Sequence, residues 1–354
     1  MQNKRELLAR VLDRARAFDL ILYARRRVRV PVLSALCYHS VGTVDPAYRF
    51  DSDVIDATPD EFRQQLEVLH RHCTVISIDD LCDIVAGSAP PPNPVLITFD
   101  DGYRSCLDVA LPILQEFGFP ATFFIATDYV SNRRLYWWDT ISYVLKTTRK
   151  HRIELAYPRT MTFELNGEGA GNAAGKSTAI GQLLRLVKTE REMDLDEFLA
   201  GLIGAAEIEW TRDIESRLAD ELIMTWDDVR KLRDAGMDIE SHTRKHRVLH
   251  TLHTEKLASE LAGSRADIER EIGEPVRTLA YPVGGSIARY PEIRAAMERA
   301  GYQIGFTAMT GVNYLWRQID RLDVSRLAME RGTPIEFFRG MLALPPLAYS
   351  RAQP

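Results

Sequence analysis

Two carboxylates stand side by side at Asp100 and Asp101, after the apolar run PVLITF and before Gly102. Buried together, such acids lose hydration and repel unless positive charge shares their site. Successive strand residues point to opposite sides, so the pair can hold different jobs. An Asp-Gly pair is also an ordinary exit from a strand into a turn. Farther along, MDIESHTRKH sets His242 and His246 four residues apart. Two neutral imidazoles at that spacing can reach one metal ion. Thr243 occupies the place of the glutamate in an H-E-x-x-H helix, so that motif is absent. The nearby His250 and His253 leave open a polar loop with incidental histidines. If both segments end at one face of a sheet, Asp101, His242 and His246 supply three ligands. A fourth position then stays open for water, as a catalytic metal site requires.

The elements that must position these residues are legible as alternation. Strand-like runs occur at 31–39, 73–78, 94–99, 120–127, 236–242, 277–282 and 302–308, with a weaker one at 321–329. Most are continuously apolar, as strands buried on both faces of a parallel sheet are. Helix signals fall between them. Thr58, Pro59 and Glu61 provide a cap, a first-turn proline and a capping-box acid, and Thr225 and Asp228 repeat the pattern. Thr254 opens a helix that Gly273 and Pro275 stop, and Pro291 opens another. Strands alternating with helices define an α/β chain, and seven or eight units predict a (β/α) barrel. Residues 131–224 break the rhythm and read as an inserted, mostly helical segment. The expected organisation is a basic helix or arm at 1–30 and a barrel over 31–345 carrying that insertion.

The 354 residues are 45% hydrophobic and 27% charged, with a formal net charge of -5. This is a globular composition and does not suggest wholesale nucleic-acid binding. Cys37, Cys73, Cys82 and Cys106 have neither disulfide-framework nor zinc-knuckle spacing. No run approaches the roughly 20 apolar residues of a membrane span. Arg and Asp interrupt the N-terminal apolar run, so it does not read as a secretory signal. The expectation is a cytoplasmic protein. Residues 1–30 hold nine basic against three acidic residues, with helical apolar spacing from Leu8, Val11 and Leu12. Such a stretch can lie on an anionic membrane surface, pack on the barrel, or hang as a loose arm.

TFDDG and HTRKH together resemble the first two motifs of the polysaccharide deacetylases, the NodB-like carbohydrate esterases. MTWDDVRKLRDAGMDIESHT, TLAYPVGG and PATFFI extend the similarity over roughly 31–330. The resemblance implies a distorted (β/α) barrel, a divalent metal, usually zinc, and removal of an N-acetyl group from an amino sugar in a polysaccharide or glycolipid precursor. It implies Asp100 as general base and Asp101, His242 and His246 as metal ligands. The family's third motif carries an arginine near its proline, but here Leu279-Ala280-Tyr281-Pro282 has none, and Arg321 is the candidate substitute. The family's late acid histidine is absent too, since no histidine follows His253. Some branches place it in a YH context on the first strand, which makes His39 the candidate proton donor.

Tyr103, Tyr281 and Pro282 stand beside the motifs and are candidate substrate contacts. Trp138, in LYWWDTISYVL, is a further one, because an indole can stack on a sugar face. The competing reading is a helix start with Asp139 as cap and the tryptophan buried. GAGNAAGKST resembles a phosphate loop but fails on count, because Ala170 stands where the first glycine belongs. The expected partner is an amino-sugar glycan or a lipid-linked sugar, and not nucleic acid. Alternatives are a deformylase of a lipid-linked amino sugar and a catalytically silent sugar-binding barrel.

Overall fold

A computed structural model describes residues 2–28, 30–166, 172–315 and 319–345. Seven parallel strands close on themselves. They are β1 (Val32–Tyr38), β2 (Pro94–Phe99), β3 (Thr122–Ile125), β4 (Asp238–Ser241), β5 (Thr278–Ala280), β6 (Ile304–Thr310) and β7 (Val324–Ala328). Each pairs with the next, and β7 returns to β1. The ring is uneven. β4 and β5 share only the Leu279–Ser241 partnership, and β6 bulges between Phe306 and Thr310. The run expected at 73–78 forms a strand, Thr74–Ile76, but not a stave. It pairs with the entry half of β2, where β3 has not yet arrived.

Alternation along the staves separates two cores. Leu33, Ala35, Leu96, Phe124, Ala280, Phe306 and Val324 pack together inside the barrel. Tyr38, Phe99, Phe123, Leu279 and Tyr281 pack outward against the helices. A side-chain period of two therefore carries the inward parity on to His39, Thr98, Asp100, His242 and Arg326. No membrane-length apolar helix is found among the described residues.

Helix ends follow local chemistry. Thr58 and Glu61 form a capping box on Pro59–His72, and Thr225 and Asp228 form another on Trp226–Asp234. Thr254 is the first helical residue rather than the cap, which is His253. Between barrel elements lie a hairpin, Arg152–Leu155 with Met161–Glu164, and helices Asn172–Thr189, Leu195–Ala205 and Arg212–Leu222. Part of the phosphate-loop-like stretch, 169–171, lies outside the described residues. The rest has a structural use. The Lys176 ammonium donates to the carbonyls of Lys146 and Thr148, closing the end of helix Trp137–Thr147. A Cβ on Gly175 would come within 2.6 Å of the Leu165 backbone, so only glycine fits this approach.

Two N-terminal helices, α1 (Gln2–Arg14) and α2 (Ala17–Val28), form a hairpin that rests on helix Ile335–Ala343. Arg16, at φ 53°, reverses the chain between them.

Candidate active site

Three strand ends converge at the C-terminal rim of the barrel. β2 ends in Asp100 and Asp101, β4 in His242, and β1 in His39. Asp101 would continue outward by parity. Its left-handed backbone, φ 73°, swings it back toward the axis, and Gly102 continues the turn at φ 89°. Tyr136 fixes the turn by donating its hydroxyl to the Asp101 carbonyl. The HTRKH loop bends at Thr243 and His246, which also have positive φ. Glu260 accepts from the backbone N–H groups of Arg244 and Lys245 at 2.9 and 2.8 Å. Arg244 forks onto Asp267. Strained, over-determined backbone of this kind is characteristic of functional loops.

The result is a compact donor set. Asp101 Oδ1 lies 3.4 Å from Nε2 of both His242 and His246. Oδ1 is buried and has no hydrogen-bond partner. Ligand atoms about 2.0–2.1 Å from a tetrahedral ion stand roughly 3.3–3.4 Å apart. Asp101, His242 and His246 therefore fit a divalent cation. His242 Nδ1 lies 2.8 Å from the Ala280 carbonyl, which selects the tautomer with Nε2 free to ligate. Burial holds the His242 ring down to about 4 and His246 well below its usual range, so both are neutral donors. Burial, opposed by His39 and reinforced by the Asp100 charge, pushes the Asp101 carboxyl up to about 7. A carboxylate this poorly compensated calls for a cation.

Asp100 has the opposite environment. Arg326 grips it through two hydrogen bonds of 2.7 Å, one to each oxygen. Arg326 also donates to the Thr307 carbonyl and to Thr98 Oγ1, and its guanidinium lies over the Phe124 ring. Burial would raise the Asp100 carboxyl, but Arg326 outweighs it and holds it well below the usual carboxylate range. Asp100 Oδ2 lies 3.8 Å from His242 Nε2, beside the donor set.

His39 occupies the mouth, with 34% of its side chain exposed. Its Nδ1 meets Asp56 Oδ2 at 2.9 Å, and its backbone N–H donates to the same oxygen. Asp56 is delivered by the short strand Ile55–Ala57, which pairs with Ser40–Val41 directly after His39. Burial works to lower the ring's pKa, but Asp56 more than reverses this and brings it to about 10. His39 is thus held protonated with Nε2 unengaged by Asp56.

The remaining candidates separate. Arg321 is not at the site. It is 43% exposed, bonded to Glu298 and to the Gln303 carbonyl, and Arg326 makes the contact expected of it. Tyr281 is on the outward parity and buried. Its hydroxyl donates to the Leu322 carbonyl, so it offers no surface to substrate. Pro282 beside it is buried as well. Tyr103 and Trp138 are also buried. Trp138 Nε1 donates to the Tyr103 hydroxyl, which donates to Asp139 Oδ2. The Trp138 ring packs 4.6 Å from His246, so it positions that imidazole and leaves no open face for a sugar. Asp139 is not the helix cap; it accepts from Tyr103 and from the Asp51 backbone.

Arg326 and Asp56 were not singled out by the sequence reading. Arg326 had a signal: it is two residues from Val324 in VSRLA, hence on the buried parity. Asp56 had none, since its strand is three residues long.

The structure is thus a closed parallel barrel with a candidate three-donor cation site and a separate, arginine-clamped acid at its strand ends. The polysaccharide deacetylase model matches residues 87–156 and 202–305, leaving out most of the inserted hairpin and the first inserted helix. The chain belongs to the polysaccharide deacetylase family. The protein YxkH of Bacillus subtilis (strain 168), whose name places it among the polysaccharide deacetylases, is 33% identical over 89 residues. That alignment covers 25% of this chain and spans 30% of the length of this curated relative. Among solved structures, the Streptococcus pyogenes deacetylase PplD, in complex with acetate, superimposes with a TM-score of 0.56 at 15% identity. The superposition covers 90% of this chain and 99% of that one. IcaB from Ammonifex degensii gives 0.52 at 18% identity, over 90% of this chain and 98% of its own. At such identities the likeness is one of fold, a distorted (β/α) barrel. The family is in general metal-dependent, and Asp101, His242 and His246 form a candidate donor group in this chain.

Proposed function

We propose that this chain is a metal-dependent amide hydrolase that removes the N-acetyl group of an amino sugar in a glycan or glycolipid precursor. One observation carries the reading. The unpartnered Asp101 oxygen faces two neutral imidazoles at 3.4 Å, while the adjacent Asp100 is reserved by Arg326 and excluded from the same duty. A silent sugar-binding barrel would have no use for that division of labour.

Zinc suits two imidazoles, one carboxylate and an open position. Such an ion, when bound, acidifies a water and polarises an amide carbonyl. Asp100 stays ionised and is fixed in orientation, so it can receive the water's proton. His39, held protonated by Asp56, can give a proton to the departing amine as the carbon–nitrogen bond breaks. Water thus adds to the acyl carbon, acetate leaves, and the sugar retains its amine.

The test is metal analysis of the purified chain with acetate and formate release from acylated amino sugars, free and lipid-linked. About one bound divalent ion and acetate release support the proposal. Formate release alone would favour the deformylase. A metal-free chain that stays inert when zinc is supplied would overturn the hydrolase reading.

A further inference from the structure

The α1–α2 hairpin has no part in the site just described. Its inward face is ordinary core: Ala9, Phe18 and Leu22 are buried. Two of its acids are turned to the body, Asp13 to Arg339 and Asp19 to His72. The outward face is unlike the rest of the surface. Eight large apolar side chains are exposed among the described residues. Six of them, Leu7, Leu8, Val11, Leu20, Tyr23 and Val28, belong to this hairpin. Leu7, Leu8 and Val11 share one stripe of α1, and Leu20 and Tyr23 share one of α2. Arg10, Arg14, Arg16 and Arg26 are exposed around them and have no ion-pair partner among the described residues. Arg27 lies over the Tyr23 ring.

A surface that offers unpaired guanidinium groups beside apolar side chains is complemented by one both anionic and apolar. A second copy of this chain does not meet that demand, because a two-fold contact would set these arginines against themselves. A bilayer with anionic headgroups meets both halves of it. Neither helix is long and apolar enough to cross. We infer that the α1–α2 hairpin is a peripheral dock for an anionic lipid membrane, lying in the interface plane. Its apolar stripes enter the acyl boundary and its arginines stay at headgroup level. α2 leads into the entry end of β1, whereas the candidate active site is at the exit ends. Docking and the proposed hydrolysis are therefore separable.

The experiment is cosedimentation of the full chain with vesicles of phosphatidylcholine alone or with phosphatidylglycerol. Binding should require phosphatidylglycerol and weaken as salt rises. Each neutralised arginine should reduce binding about fivefold at low salt, so Arg10→Gln, Arg14→Gln and Arg26→Gln together should reduce it about 100-fold. Leu7→Ser, Val11→Ser and Leu20→Ser should reduce it about tenfold or more. Both variants should keep the wild-type circular dichroism spectrum and metal content. Wild type that ignores phosphatidylglycerol vesicles, or binds neutral ones equally well, overturns the inference. So does a wild-type dimer in sedimentation that the serine variant dissolves. None of these results depends on the identity of the hydrolysed substrate.

Discussion

The barrel rim and the N-terminal hairpin treat charge in opposite ways. At the rim nearly every charged group is matched. Asp100 has Arg326, His39 has Asp56, Arg244 has Asp267, and one oxygen of Asp101 is left over. On the hairpin Asp13 and Asp19 are matched inward, while Arg10, Arg14, Arg16 and Arg26 are left over outward among the described residues. An unpartnered group is informative when its surroundings are otherwise satisfied, and the size of the gap indicates what fills it. A single buried oxygen between two imidazoles asks for an ion. A broad face of exposed leucines and arginines asks for a surface.

The rim half of this comparison breaks most readily through the donor set. His242→Ala or Asp101→Ala should abolish stable cation binding, read by metal content, and with it nearly all turnover. Asp100→Asn should leave the cation in place and lower turnover on the order of 10²–10⁴-fold, the range of a positioned proton acceptor. Full activity in Asp100→Asn would remove the distinction between the two acids. Arg326→Met should come next. It leaves Asp100 as a buried, unpaired carboxylate, and breaking such pairs costs about 3–5 kcal/mol. Denaturant unfolding would measure this. A loss below about 1 kcal/mol would mean that the clamp is not formed in solution.

The staves and the four motif residues were readable because they obey local rules. Continuous apolar runs mark buried parallel strands, and strand-end polar residues mark the rim. The capping boxes at Thr58 and Thr225 were legible for the same reason. What escaped was set by parity and closure. Arg321 was chosen because it precedes a strand, yet Arg326 is the residue that shares Val324's inward face. Tyr281 and Pro282 were chosen for adjacency to a motif, yet Ala280 takes the inward parity and sends Tyr281 out to the helices. Trp138 and Tyr103 are near the chemistry, but as buried support. Asp56 could be found only in three dimensions, because a three-residue strand brings it across 17 positions to His39.

Asp56→Asn sharpens the rim's pairing rule at its mouth. With Asp56 in place, His39 is a proton donor until pH rises through its elevated value near 10. Without the carboxylate, burial is opposed only by the smaller pull of Asp101 and Asp100, and the ring falls toward its ordinary value near 6.5. The donor form is then lost as pH rises through neutrality. The kcat/KM profile of the variant should lose its alkaline activity, with roughly a tenfold or greater deficit at pH 8 that narrows toward pH 6. A uniform loss at all pH values would assign Asp56 a purely structural role.

The smallest effect belongs to Arg321→Ala, and it discriminates because the two arginines are five residues apart. Arg321 holds Glu298 at 2.9 Å, but 43% and 56% of the two side chains are open to solvent. Water screens such a pair, and its loss is worth about 0–1 kcal/mol. No atom of Asp100 is among the partners recorded for Arg321. Turnover and metal content should therefore match wild type, with unfolding free energy lowered by no more than about 1 kcal/mol. If Arg321→Ala instead cost turnover more than about tenfold while Arg326→Met spared it, the base would be clamped from the loop before β7. The inward parity of that strand would then have been misassigned.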